Sequence, residues 1–217
     1  MTRIALIRHG ETDLNTVGRI QGESDHGLND RGRAQARRTG ALLAGQPDAG
    51  QLRSQTGREW DAVVSSPQRR ARETAREIAA SLGVVPSAWI DDLCERRYGA
   101  AEGLTFGELF DRYQVPEQRR RQGFALDWLI SHERIDGAEP IESVRSRGLR
   151  ALALIAETRA PADAVVAVAH GTLIRCTLEA IEYDEPLHLE NGGGILLDRT
   201  VTGGWRVVSQ IGGSSER

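Results

Sequence analysis

Ile4-Ala5-Leu6-Ile7-Arg8-His9-Gly10-Glu11-Thr12 is a short apolar run that ends abruptly in an arginine, a histidine and a glycine. Four apolar residues in a row read as a buried strand, and the glycine lets the chain turn tightly after it. Strand ends in open α/β sheets are where ligands bind. An imidazole beside a guanidinium at such an end suggests a nucleophile next to an anion clamp. The pattern returns at Val165-Val166-Ala167-Val168-Ala169-His170-Gly171. One histidine after one strand is ordinarily a packing or capping residue. Two His-Gly pairs, on strands that reach the same sheet edge if they run parallel, point to a shared site.

Outward from these runs, strand and helix alternate. The pattern predicts strand over 3–8, then a helix over about 31–44, capped by Asp30 and ended by Gly45-Gln46-Pro47. A polar loop covers 48–59 and a second strand 60–64. Pro67 suits the first turn of a helix reaching about Leu82, with Gly83 at its end. A third strand covers 84–90. Residues 104–137 break the alternation and hold Phe106, Phe110, Tyr113, Phe124 and Trp128. That segment reads either as a helical lid over the sheet edge or as an ordinary pair of packing helices. A helix near 141–158 returns to the 164–169 strand, and another spans about 171–181. Residues 195–197 and 205–208 form a closing hairpin about Gly203-Gly204, and 212–217 should fray.

Composition narrows the chemistry. The 217 residues carry 31 acids against 28 basic residues, a net charge of −3, and every basic residue is an arginine. Without lysine, Schiff-base enzymes, pyridoxal-phosphate enzymes and lysine-bearing P-loops are excluded. Arginine grips phosphate in a bidentate fork and does not act as a base. Nucleic-acid binding wants a basic excess on one face. Here Arg69-Arg70, Arg96-Arg97 and Arg119-Arg120-Arg121 are short runs among acids, so no nucleic-acid partner is expected. Cys94 and Cys176 are too few for a disulfide framework and lack metal-ligand spacing. They favour a reduced, cytoplasmic setting. No run approaches the roughly 20 apolar residues that span a bilayer, and no signal-peptide pattern is visible. No membrane partner is expected, and a homodimer is left open.

Two more stretches follow expected strands. Ser65-Ser66-Pro67-Gln68-Arg69-Arg70-Ala71-Arg72-Glu73-Thr74-Ala75 opens a helix, and such an N-terminus favours anions. Leu93-Cys94-Glu95-Arg96-Arg97-Tyr98-Gly99-Ala100-Ala101-Glu102-Gly103 lies beyond the third strand. RHGET at 8–12, SSP..RARETA at 65–75, L.ERRYG...G at 93–103 and AHG at 169–171 stand in the order typical of the histidine phosphatase superfamily. The chain resembles most its branch of cofactor-dependent phosphoglycerate mutases and broad-specificity phosphatases, over nearly its whole length. The resemblance implies a three-layer α/β/α fold: one histidine phosphatase domain over 1–217, with a mostly parallel central sheet and a lid-like helical insertion at about 104–137. It implies that His9 is transiently phosphorylated, that Arg8, Arg70 and His170 hold the phosphoryl oxygens, and that Glu95 is the proton donor. Asn15 is a further pocket residue and Gln21-Gly22 a substrate-contacting pair. Arg96, Tyr98 and Gly171 complete the expected binding set.

The residue chemistry agrees. Phosphoryl transfer needs mainly positioning and neutralisation of charge on the equatorial oxygens. Two guanidinium forks and an imidazole supply that charge, so neither metal nor cofactor is expected. Taken alone, Glu95 is as readily a surface carboxylate paired with Arg96 or Arg97. The expected activity is metal-independent hydrolysis of a small phosphorylated metabolite through a phosphohistidine. The alternatives are a cofactor-dependent phosphoglycerate mutase or a non-catalytic protein that binds phosphorylated ligands. Arg96, Tyr98 and the Arg120-Arg121 pair fit the mutase pattern. Against it, Phe106 stands near the place of an expected lysine, and the stretch from Arg121 to Gly137 is short. Glu11 and Thr12 read as loop and cap residues, and His26, His132 and His188 as surface. Asn191-Gly192-Gly193-Gly194 reads as a turn into the hairpin.

Overall fold

The computed structural model describes residues 2–45, 60–121, 135–158, 163–185 and 189–212, without the side chains of Arg119 and Arg121. Strands β1 (Arg3–Arg8), β2 (Ala62–Ser65), β3 (Pro86–Trp89), β4 (Ala164–Ala169), β5 (Gly194–Arg199) and β6 (Trp205–Ile211) form one sheet in the order β3-β2-β4-β1-β5-β6. β1 and β2 both pair with β4 in parallel, and β3 adds to β2 in parallel. β5 and β6 close the far edge antiparallel. The register sets Arg8 opposite Ala169, so the two His-Gly pairs leave the sheet side by side. β4 is buried at every position. That is the burial a central parallel strand needs when both its faces are covered.

Helices cover both faces. α2 (Asp30–Leu43) and α3 (Arg69–Leu82) bury Leu43, Ala71, Ala75 and Ile78 against Ala5, Ile7, Val166 and Val168. α6 (Ile141–Glu157) and α7 (Gly171–Ala180) bury Val144, Leu152, Ile155, Leu173 and Ile174 against Ile4, Leu6, Val165 and Ala167. Alternate residues of β1 thus feed opposite cores, as the strand period of two requires. The result is the expected three-layer α/β/α architecture with a mostly parallel sheet.

Element ends differ from expectation in a few places. α2 is capped by Asn29, whose side chain accepts from the Gly32 N–H at 2.8 Å. Asp30 is instead the first helical residue, where its charge meets the positive end of the helix. α3 begins at Arg69, two residues beyond Pro67, and ends at Gly83 with φ +70°, a left-handed value that glycine adopts without strain. Trp60 precedes β2, and β3 is only four residues long. It is an edge strand opened by Pro86 and exposed at alternate positions, which Pro tolerates there. A short helix α1 (Asp13–Thr16) follows the RHGET turn, where no helix was expected.

Within 104–137, α4 (Phe106–Arg112) and α5 (Glu117–Arg121) are helical. α4 starts with a capping box between Thr105 and Glu108. Leu109 and Val115 pack with Ile20, Tyr98, Ala101 and Ile135 in a third, smaller core. The expectations for the 48–59 loop, Phe124, Trp128, His132, His188 and the fraying of 213–217 fall outside the described residues. Among the described residues no helix is long and apolar enough to cross a membrane.

Candidate active site

His9 follows β1 directly, and its N–H donates to the Ala169 carbonyl at 3.0 Å. Its Nδ1 lies 2.7 Å from the Gly10 carbonyl oxygen. A carbonyl can only accept, so Nδ1 carries the hydrogen and the Nε2 lone pair is left for chemistry. His170 occupies the N-cap of α7, with its ring centroid 5.1 Å from that of His9. Burial, then the charges of Arg70 and Arg8, hold the His9 pKa well below its usual value. Burial also dominates at His170, followed by Arg70 and the neighbouring His9. Both shifts favour the neutral form of the imidazole.

Two guanidiniums flank them. Arg70, fully buried in the first turn of α3, donates from Nη1 to the Ser24 carbonyl at 2.8 Å and from Nη2 to the Gly22 carbonyl at 3.0 Å. Arg8 donates to the Leu189 carbonyl at 2.7 Å. Burial lowers the pKa of each guanidinium, and Glu95 opposes the shift in both. Several buried polar atoms here make no hydrogen bond within the described protein: Nε of Arg8, Nε of Arg70, both ring nitrogens of His170 and Nε2 of Gln21. Buried polar groups are nearly always partnered. Unmet hydrogen-bonding capacity gathered around two guanidiniums is the pattern of an oxyanion site.

Glu95 is almost wholly buried, and three backbone N–H groups converge on its carboxylate. Oε1 accepts from Arg96 at 2.8 Å and Leu173 at 3.2 Å, and Oε2 from Thr172 at 3.2 Å. Thr172 and Leu173 belong to the first turn of α7, so a helix N-terminus holds this carboxylate in place. Pairing with Arg96 or Arg97 side chains does not explain its position.

A pocket joins these groups. Arg8, His9, Asn15, Gln21, Glu95, Tyr98 and Gly171 line it, as do Arg19, Ile20, Phe106, Thr172 and Arg175. Arg70 and His170 lie fully buried beside His9. Two expected contact residues are placed otherwise. Arg96 is buried behind Tyr98 and is not among the lining residues, with Nε donating to the Glu139 carbonyl at 2.8 Å, its guanidinium 5.5 Å from the Tyr98 ring centroid, and its buried Nη1 without a hydrogen-bond partner within the described protein. Gly22 offers its carbonyl to Arg70 and Gln68 and is absent from the lining. Tyr98 is tied to Thr172 through its hydroxyl at 2.5 Å.

Asn15 serves the site's frame as well. Its Oδ1 accepts from the Thr12 N–H at 3.1 Å and from Asn191 Nδ2 at 3.3 Å. Asn191 Nδ2 also donates to the His9 carbonyl at 3.0 Å, and the Gly192 N–H to the Arg8 carbonyl at 3.0 Å. The 191–194 turn does lead into β5, but it also holds the turn that carries Arg8 and His9 through these hydrogen bonds. Sequence reading missed that second role, and it missed Arg175. For Arg175 a signal existed: it stands four residues after Gly171, on the same helical face. Glu11 and Thr12 are loop and cap residues, with Glu11 accepting from Asn29 at 3.1 Å. Among the described residues no group of His, Cys, Asp and Glu could hold a metal ion.

Known proteins match this chain over most of its length. Residues 4–193 match the model of the histidine phosphatase superfamily (branch 1). An uncharacterized phosphatase, PhoE, of Bacillus subtilis is 33% identical over 186 residues, 86% of this chain and 80% of that protein. An acid phosphatase of Mycobacterium tuberculosis is 33% identical over 178 residues, 81% of this chain and 73% of its own. Among solved structures, a phosphoserine phosphatase from Entamoeba histolytica in complex with 3-phosphoglyceric acid superposes with a TM-score of 0.73. It is 26% identical and covers 98% of each chain.

Proposed function

The chain belongs to the histidine phosphatase superfamily, and from that premise we propose that it hydrolyses a small phosphomonoester through a phosphohistidine on His9, without a metal. The observation that carries the reading is the gathering of buried, unpartnered polar atoms of Arg8, Arg70, His170 and Gln21 around an imidazole whose Nε2 lone pair is free. In the first step His9 Nε2 attacks phosphorus in line and the P–O bond to the alcohol breaks. Glu95 passes a proton to the departing oxygen, while Arg8, Arg70 and His170 take the charge of the equatorial oxygens. In the second step water attacks phosphorus and gives its proton to Glu95. The P–N bond breaks, and its electron pair returns to Nε2. Asn15, Gln21, Tyr98 and Gly171 line the space left for the phosphoryl group and its ester.

Phosphatase-named relatives support hydrolysis over transfer between two substrate positions, and one placement adds to that. Arg120 is spent on Asp111 at 2.6 Å, on the Phe110 carbonyl at 2.8 Å and on the Val115 carbonyl at 2.9 Å. A mutase-like role in gripping substrate would require breaking all three. The chelated enzyme is expected to turn over p-nitrophenyl phosphate, and an acid quench to trap an acid-labile phosphate on His9. Phosphate found on another residue, equal turnover by His9→Ala, or activity that returns only with a divalent ion would overturn the proposal.

A further inference from the structure

Gln68 stands at the N-cap of α3, yet its side chain makes no capping bond. It reaches instead to Arg70 and the Glu95 backbone. Its Oε1 accepts from Arg70 Nη2 at 3.0 Å and from the Glu95 backbone N–H at 3.3 Å. Its Nε2 donates to the Gly22 carbonyl at 2.7 Å, the same oxygen that accepts from Arg70 Nη2. Two donors at one end and a carbonyl at the other fix which end of the amide is oxygen. One side chain thereby links the loop at Gly22, the guanidinium on α3 and the backbone that carries Glu95.

We infer that Gln68 is a positioning residue that sets the phosphate-gripping Arg70 and the proton-donating Glu95 relative to each other. The inference rests on the phosphatase reading above. The acceptor oxygen is the critical atom. Without it, Arg70 Nη2 keeps only the Gly22 carbonyl, and the Glu95 N–H loses its side-chain partner. Displacement of Arg70 slows every ester alike, because the phosphoryl group is common to all. Displacement of Glu95 slows most those esters whose alkoxide must be protonated as it leaves. Gln68 touches both, so its loss should produce both signatures.

The test is kcat/KM of the full chain on p-nitrophenyl phosphate and on an alkyl phosphate, alongside the thermal midpoint. Gln68→Met keeps the length and removes the acceptor. It is expected to lose roughly tenfold on the aryl ester, the scale of one hydrogen bond to a charged group. It should lose several times more on the alkyl ester, with the midpoint nearly unmoved. Gln68→Glu keeps the acceptor but cannot donate to Gly22 while ionised. It should restore the alkyl-to-aryl ratio while raising KM for the dianion. If Gln68→Met does not fold, Gln68→Asn, one methylene short of both partners, reads the same ratio. A ratio that stays at the wild-type value, or equal losses accompanied by a fallen midpoint, would overturn the positioning role. Wild-type protein that hydrolyses neither ester would instead defeat the phosphatase reading, and this inference with it.

Discussion

Glu95 is the residue whose placement asks most of the chain. A nearly buried carboxylate is costly unless its lone pairs are met, and here three backbone N–H groups meet them. The geometry fixes the group but does not separate a proton donor from an inert anchor. Leaving-group basicity does. An alkoxide departs slowly unless protonated as the bond breaks, whereas nitrophenolate needs no such help. Glu95→Gln preserves the shape of the side chain but turns its NH₂ toward the Thr172 N–H, a mismatch that weakens both reactions equally. Comparison of the two esters cancels that misfit. Alkyl phosphates are expected to lose roughly 10²-fold more kcat/KM than p-nitrophenyl phosphate, the usual size of general acid catalysis. Equal losses would reduce Glu95 to a shaping role.

At the scale of elements, the site depends on how closely α6 and α7 pack, because α7 presents His170 at its N-cap and the N–H groups that hold Glu95. The approach is set at Gly148 of α6, where an added Cβ would overlap the hydroxyl of Thr177 on α7. Thr177 cannot swing away freely, since its hydroxyl donates to the Leu173 carbonyl at 2.7 Å. Gly148→Ala is therefore expected to destabilise by about 1–3 kcal/mol, the cost of overpacking a filled interface. Helix propensity favours the same change by roughly 1 kcal/mol and offsets part of it. Thr177→Ala should relieve the overlap, so the double variant should recover most of the loss. Urea unfolding of the two singles and the double gives the coupling directly, and purely additive effects would mean that the helices are not in contact there. This pair also marks what a sequence shows and what it hides. β1, β4 and their His-Gly ends were legible because a buried parallel strand is continuous in apolar residues and its end is chemically abrupt. The roles of Gly148, Asn191 and Gln68 were not, because each depends on a partner between 27 and 182 residues away. Arg96 makes a related point: a motif gives a residue its place in the chain but not the direction of its side chain.

The whole molecule carries the consequence of burying two neutral imidazoles beside two guanidiniums. Both His9 and His170 have folded pKa values held well below the ordinary 6.5, by burial first and by Arg70 next. Below pH 6.5 the unfolded chain takes up protons at these positions that the folded chain refuses. The stability they confer is complete above pH 6.5 and is lost as pH falls from there toward the depressed folded values. Each site contributes a slope of up to about 1.4 kcal/mol per pH unit. The buried carboxylates follow later. Glu73 and Glu139 have pKa values below 4.5, maintained against burial by hydrogen bonds to Arg69 and Arg147 respectively. Their contribution is therefore present above pH 4.5 and lost only under more acidic conditions. Among the described residues, the window between 6.5 and 4.5 thus reports the imidazole pair. Urea midpoints should hold down to about pH 6.5 and then fall steadily to pH 5, and His170→Asn should show about half the slope. Inorganic phosphate adds a link to function. An anion bound among Arg8, Arg70 and His170 brings negative charge beside the two imidazoles, which raises the folded imidazole pKa values and stabilises the native state by mass action. Saturating phosphate should then raise the midpoint at every pH and flatten its fall toward pH 5. A midpoint that stays level from pH 7 to 5 without phosphate would show that the two rings protonate as freely in the fold as outside it, and the neutral nucleophile on which the mechanism rests would be lost with it.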